Sequence, residues 1–367
     1  MEMFALMSLR SQPLRMILSI GGIALCVLLM LFLLGVYRGV EEGSMEFIHH
    51  NRADLWVLQG NATNILRCSS VLWNNSANEI ANIPGVESVA PLLLMLSTVG
   101  EGDNAATVYL AGYDPKTGLG KPPRIEKGRH IRSSGEIVLD QAFAAKYAYK
   151  VGDTVILQGC RLELVGISGG TNAFVIQYAF VNLERSWQLA GYSGIVTCFL
   201  VNLDSSRTAE SVISDIQSVN PRTKAFKHNV FVQNNVREMQ AGFLPFVFTL
   251  SILGSIVLTS ILSLLLSISI IERRRDFAVM KTLGAPAKFL FRMVVGQALM
   301  TVGLGTKVAI VLLPLLAGLI HKVSPEVAIK LSILQIAEVA VVAVCVGVVS
   351  SLIAMSRLRR IYALEAF

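Results

Sequence analysis

The stretch Met239–Gly284 reads MQAGFLPFVFTLSILGSIVLTSILSLLLSISIIERRRDFAVMKTLG, and its first thirty-three residues, Met239–Ile271, carry no charge. About 20 apolar residues cross a bilayer core as a helix, because only the backbone itself can satisfy its N–H and C=O groups there. Met239–Ile271 is therefore long enough to cross and to project beyond the membrane. The basic run Glu272-Arg273-Arg274-Arg275-Asp276 that follows cannot enter lipid. Lys and Arg at a membrane end favour the cytoplasm, so the helix is predicted to run from outside to inside.

Working outward, Met16–Tyr37 is a second uncharged run of 22 residues, flanked by Arg10 and Arg15 on one side and Arg38 on the other. It exceeds the core of a signal peptide, and Val36-Tyr37-Arg38-Gly39 offers no small-x-small cleavage site, so it reads as an uncleaved anchor. Val294–Ile320 is a third span, interrupted by Lys307 and containing Pro314. An external loop, His321–Lys330, leads to the fourth, Leu331–Met355, interrupted by Glu338. Arg357, Arg359 and Arg360 then mark the cytoplasm. With four spans every strongly basic flank falls inside, as do both termini, giving a multi-pass membrane protein with both ends in the cytoplasm.

The composition agrees. Of the 367 residues 53% are hydrophobic and 16% charged, the mean hydropathy is +0.59, and the net charge is +7. The basicity does not signal nucleic acid. Residues 38–238 hold 18 Lys and Arg against 19 Asp and Glu, and the remainder holds 14 against 6. The excess sits in the membrane segments and their inner flanks.

Residues 43–238 read as an extracytoplasmic α+β domain. Each end carries a strand–helix–strand pattern. At the first, Ala53–Leu58 is a strand, Asn78–Ile83 ends a helix stopped by Pro84-Gly85, Val86–Thr98 is largely apolar, and Thr107–Ala111 is a strand. At the second, Ile195–Val201 is a strand, Ser206–Ser218 an amphipathic helix and Thr223–Val232 holds a strand. Between them Gly112–Tyr192 is a mainly β insertion. Its strands are Ile137–Leu139, Val151–Leu157, Arg161–Ile167 and Ala179–Leu183, with a short helix at Asp140–Lys146.

Catalytic motifs are missing. No G-x-x-x-x-G-K-[ST] occurs: Gly118-Leu119-Gly120-Lys121 and Gly303-Leu304-Gly305-Thr306-Lys307 are wrongly spaced. The chain is thus predicted not to be an enzyme and to hold no nucleotide. G-x-S-x-G and H-E-x-x-H are absent too. His49 and His50 are adjacent, so their rings diverge on a helix and read as a solvated pair; no metal site is predicted. Cys68, Cys160 and Cys198 leave one external disulfide open without selecting a pair. Lys307 and Glu338 fall at similar membrane depth, and the cost of intramembrane charge suggests that they pair between neighbouring helices or across a subunit interface. The bland alternative is snorkelling to the surface.

After the arginines, Phe277, Met280, Lys281 and Leu283-Gly284-Ala285-Pro286 suggest a short amphipathic helix ended by glycine, more than a stop-transfer signal needs. Here the chain resembles the FtsX/MacB-type permeases, the type VII or mechanotransmission ABC transporters. Their signature E-R-[RK]-x-E-[IF]-x-[VI]-[LM]-[RK]-A-[LI]-G-A is similar to Glu272–Ala285, with Asp276 for the usual glutamate and Thr282 for alanine. Pro84-Gly85-Val86-Glu87-Ser88-Val89-Ala90-Pro91 resembles the family's PGVxxVxP strand. Val151–Val155 resembles its GDxV entry, and Arg359–Phe367 its tail, without the preceding proline. The length and Leu14–Gly39 look closest to the DevC-like branch, whose members are similar to exporters working with a membrane-fusion protein.

The resemblance implies a layout and a mechanism. The segments would be an N-terminus and first helix (1–42), an extracytoplasmic domain of porter-like parts (43–111, 193–238) and a sabre-like insertion (112–192), helix 2 (239–271), a coupling turn (272–293), helices 3 (294–320) and 4 (331–355), and a tail (356–367). It implies a homodimer with a separate ABC ATPase of the MacB/LolD type, which alone binds ATP, docked through Arg273, Arg274, Arg275, Asp276, Lys281 and Gly284. The long helices Met16–Glu42 and Gln233–Ile271 would carry its motion outward. Membrane lipids would surround the chain; a fusion protein and an outer-membrane channel join some such machines. The function implied is export or extraction of a lipid-like, lipoprotein or amphiphilic substrate. The alternative is an FtsX-like scaffold that activates a periplasmic partner without transport.

Overall fold

The computed structural model describes residues 13–102, 105–172, 176–204, 206–272 and 286–361. The chain divides into two compact units. One comprises 1–38, 245–320 and 329–367; the other comprises 39–244 and 321–328.

The first unit is helical. Four segments are long and apolar enough to cross a membrane: Ile17–His50, Leu244–Ile268, Phe291–Val323 and Ile333–Ala354. They belong to helices α1 (Pro13–His50) and, later in the chain, His228–Glu272, Ala287–Val323 and Ile333–Ile361. Their shared core sets Ile23, Val27 and Leu31 of α1 against Leu258, Leu262, Leu266, Val302, Ala309, Ala343 and Val346. Small residues let these backbones approach. A Cβ on Gly305 would lie 2.6 Å from Ile23 Cγ2, and one on Gly347 3.2 Å from Val302 Cγ2. Within His228–Glu272, Ser251, Ser255, Thr259 and Ser267 each return their hydroxyl to the carbonyl four residues back, hiding polar groups from lipid. Pro245 stands inside the same helix, and Thr249 Oγ1 donates to its carbonyl at 2.8 Å.

The second unit is built on one mixed sheet. Its strands are β1 (Leu55–Gln59), β3 (Val86–Val99), β4 (Ala106–Tyr113), β5 (Arg124–Gly128), β6 (Glu136–Asp140), β7 (Thr154–Leu157), β8 (Cys160–Gly169), β9 (Tyr178–Asn182), β11 (Cys198–Leu203) and β12 (Thr223–Lys227). The order is β12-β1-β11-β3-β4-β9-β6-β8-β5, with β7 off this path against β3 and β8. Two pairs are parallel, β4 with β9 and β6 with β8. A separate ribbon pairs β2 (Leu72–Trp73) with β10 (Ile195–Val196).

Period-two alternation assigns each strand to two cores. Trp56, Leu92, Ala111, Tyr178, Phe180 and Leu200 point to one face and form a single cluster with Met45, Phe47 and Ile48 of α1. The other face is split. Leu55, Val57, Leu93, Phe199 and Val201 pack beneath α2 (Ser76–Ala81) and α5 (Ala209–Val219), whose Ile80, Val212 and Ile216 are buried there. Val108, Leu110, Ile137, Leu139, Leu164, Ala179 and Val181 form the second half around Phe143 of α3 (Gln141–Lys146). All five residues of β6 are buried, as expected of an inner strand covered on both faces. Thus 112–192 shares a core on one face with Val99, Val108 and Leu110 of β3 and β4, while its strands continue the common sheet.

Some boundaries differ from the sequence reading. Ile195–Val201 is broken at Thr197, whose Oγ1 receives Leu94 N at 2.9 Å and donates to Leu94 O at 3.1 Å, so its two halves join different sheets. The strand expected in Thr223–Val232 ends at Lys227, where the helix α6 (His228–Glu272) begins, because Phe231 must turn onto Trp56. Helix α7 (Ala287–Val323) runs three residues into the expected outer loop, and α8 (Ile333–Ile361) follows; α4 is Leu183–Ala190. All five cysteines are free thiols.

Candidate functional site

The six residues expected to dock an ATPase, Arg273, Arg274, Arg275, Asp276, Lys281 and Gly284, lie outside the described residues, which stop at Glu272 and resume at Pro286. Lys307 and Glu338 are both described and both exposed. Among the described residues no ion pair joins them within the single chain, and their exposure fits snorkelling to the surface as well as a pairing across a subunit interface. His49 and His50 are exposed, and no cluster of metal-ligating side chains forms among the described residues.

What the structure does bring together is a seat where α1 enters the external unit. Gly35, Gly39 and Gly43 recur every fourth residue and so share one helical face. In the external unit, a Cβ on Gly39 would lie 2.7 Å from the carbonyl carbon of Ala328, and one on Gly43 3.2 Å from that of Asn172. Only glycine leaves room for these backbones. Within the membrane unit Gly35 packs instead against the side chains of Ile329 and Leu331, and Lys330 N donates to Gly35 O at 3.0 Å.

The segment 321–328, the last turn of α7 and the residues that follow it, is fastened to the β-rich part of the external unit. Asn172 Nδ2 donates to Glu326 O at 2.8 Å, and Gln177 Nε2 to Asn172 Oδ1 at 3.1 Å. Lys146 Nζ lies 2.7 Å from Glu326 Oε1, whose side chain is 18% exposed. Burial, the largest single effect, raises the Glu326 carboxyl, but the hydrogen bond from Lys146, a backbone N–H and the Lys146 charge together outweigh it and hold the group below its ordinary value. Glu326 Oε2 is buried without a partner.

Both long helices are rooted in the same core. Phe47 of α1 stacks on Tyr178 at 5.1 Å. Asn51 closes the helix: its Nδ2 donates to Phe47 O, and its Oδ1 accepts from Gly120 N at 2.7 Å. At the root of α6, Phe231 stacks on Trp56 at 4.6 Å and Asn235 Oδ1 accepts from Ile65 N at 3.1 Å. Gln240 Nε2 donates to Glu41 Oε1 at 3.4 Å, tying α6 to α1. Aromatic anchors of this kind contribute about 0.5–1.5 kcal/mol beyond their buried area. Built from stacked rings and hydrogen bonds, the arrangement is suited to holding two helix ends and one loop in fixed register. The glycine repeat was visible in the sequence as a four-residue period. The Lys146–Glu326 pair, 180 residues apart, carried no local signal.

Comparisons with known proteins follow this layout. Residues 16–219 match the family described as MacB-like periplasmic core domain, and residues 247–363 the FtsX-like permease C-terminal family. An uncharacterized ABC transporter permease of Mycobacterium tuberculosis is 25% identical over 99% of this chain and 98% of its own length. Another from that organism is 26% identical over 86% of each. Among solved structures, the periplasmic region of MacB from Actinobacillus actinomycetemcomitans covers 51% of this chain and 94% of that one, at TM-score 0.40 and 15% identity. The extracellular domain of the ABC-type transporter YknZ from Gram-positive bacteria covers 48% and 99%, at TM-score 0.37 and 13% identity.

Proposed function

Because the chain belongs to the ABC transporter permeases of the MacB/FtsX type, a class that works with an ABC ATPase, we propose that it converts ATP hydrolysis in that partner into movement of its extracytoplasmic domain. The observation that carries this reading is the continuity of α1 and α6. They hold 38 and 45 residues, roughly 57 and 68 Å at 1.5 Å per residue. Each is about twice a hydrocarbon core of about 30 Å, and each ends in the aromatic core of the external domain. Helices of such length, α1 unbroken and α6 lacking only the bond that Pro245 cannot make, carry displacement across the bilayer.

The ATPase docks on the turn containing Arg273, Arg274, Arg275, Asp276, Lys281 and Gly284, with both termini on its side of the membrane. Two copies assemble, and the groove along α6 lined by Phe248, Ser251, Ser255, Ile256 and Thr259 is a face on which the second copy packs. The cargo is a lipid-like, lipoprotein or amphiphilic molecule handled by the external domain, passed on where present to a fusion protein and an outer-membrane channel.

The test is co-purification from membranes of the wild type beside a variant carrying Arg274→Glu and Gly284→Pro. Recovery of a P-loop ATPase with the wild type, and its loss with the variant, is the expected result. Equal recovery with both moves the docking surface elsewhere; recovery with neither overturns the coupling.

A further inference from the structure

A cavity of about 500 Å3 opens on the external unit beside β5, lined by Lys116, Ile125, Arg129, His130, Ile131 and Arg132 among others. Its charge is one-sided. Residues 114–132 carry six Lys and Arg against two Asp and Glu, within a segment, 38–238, that is otherwise acidic. Two of the cations are already neutralised. Arg129 grips Glu136 through two bonds of 2.9 Å, and Arg124 pairs with Glu126 and Glu46. The side chains of Lys116 and Arg132 are exposed at the cavity and have no acidic partner among the described residues. Behind them, the charge of Lys121 acts on the imidazoles of both His50 and His130, and Glu46 is the carboxylate that opposes it at His50. At His130 the neighbouring charges are Lys121 and His50, so like charges repel on that side of the cavity.

The floor is apolar. Ile131 is 2% exposed and Ile125 half-buried. The backbone is shaped to present it. β5 is the terminal strand of the sheet, with a register shift between Ile125 and Lys127. Gly128 has φ +79°, and a Cβ there would lie 3.1 Å from the Val165 carbonyl carbon. A bulge re-aims the side chains of an edge strand.

We propose that this cavity binds the anionic headgroup, phosphate or carboxylate, of an amphiphile whose apolar portion lies against Ile125 and Ile131. Lys116 and Arg132 supply the open charge, and Arg129, fixed by Glu136, holds the wall in place. As an anion site the cavity stands on its own geometry; as the place where cargo is held it rests on the transport reading above.

The test uses the full-length chain in neutral detergent, with dodecyl phosphate as probe and inorganic phosphate as comparison, read by calorimetry. The variant reverses both exposed charges, Lys116→Glu with Arg132→Glu. Lys224→Glu, on the strand at the opposite end of the sheet, is the control. The expected result is saturable dodecyl phosphate binding that weakens by about tenfold or more in the double variant and not in the control, with inorganic phosphate weaker than dodecyl phosphate. Equal affinity of wild type and double variant, or no binding at all, overturns the site. Equal affinity for the two probes overturns its amphiphile half and leaves a free-anion site. Because this readout needs no ATPase, the cavity and the coupling to an ATPase fail or stand separately.

Discussion

The α-carbon of Gly39 lies against the main-chain carbonyl of Ala328, so close that a Cβ would sit 2.7 Å from its carbonyl carbon. Gly39→Ala therefore forces backbone from backbone, with an overpacking cost of about 1–3 kcal/mol. Gly21→Ala, in the same helix with nothing within 4 Å, gains helix propensity instead. Thermal unfolding of the two detergent-purified variants should move in opposite directions relative to the wild type. A Gly39→Ala protein melting at or above the wild-type temperature contradicts the seat.

Lys146 and Glu326 hold the segment between α7 and α8 to the β-rich part of the external unit. Removing Lys146 alone leaves a mostly buried carboxylate with neither oxygen paired by a side chain. Lys146→Met should thus be more destabilising than the double variant Lys146→Met/Glu326→Gln. A double-mutant cycle should give a coupling of about 1 kcal/mol, and a coupling near zero would assign the pair to the surface alone.

Glu136 is held low, at about 2, by the Arg129 guanidinium and by backbone N–H groups of Arg132 and Ser133, which together outweigh its burial. A depressed carboxyl stabilises the fold above its ordinary value of 4.5 and loses that contribution as pH falls toward about 2. Arg129→Gln should therefore melt below the wild type at neutral pH, with the gap closing on acidification. A gap that is constant from neutral pH to about pH 3 argues that Arg129 acts by packing alone.

His228 accepts a hydrogen bond at Nδ1 from Trp56 Nε1 at 3.4 Å. Burial lowers its pKa, reinforced by His49 and Arg52 and opposed by Asp54. A histidine depressed in the fold stabilises above its ordinary value of 6.5 and loses that stabilisation as pH falls through its folded value. The root of α6 should loosen on mild acidification, seen as faster amide exchange at Phe231 and Asn235. His228→Gln should flatten that dependence, and an unchanged profile would place the titration elsewhere.

The membrane layout was legible because it depends on one coarse quantity, uncharged length, and on where arginines interrupt it. The strands of the external domain were legible where alternation was strong, as in Arg161–Ile167 against β7. Legibility failed where a single residue serves two structures. Thr197 looks like any β-former, yet its hydroxyl closes on Leu94 and splits a strand. Phe231 suits a strand in isolation, and only the Trp56 ring, 175 positions earlier in the chain, explains why helix begins there. The Lys116–Arg132 cavity was hidden because six cations in a loop-rich stretch read equally well as a solvated surface.

Pro245 gives α6 a property that α1 lacks. With no N–H at that position, the carbonyl of Ala241 receives no helical bond, and the Thr249 hydroxyl returns to Pro245 O rather than to that carbonyl. An interior proline is one of the few identifiable places where a helix bends. Of the two long helices rooted in the external domain, α1 has its one proline at its first residue and α6 has one in its interior. If load passes through these helices as proposed above, α6 would bend at Pro245 before α1 bends.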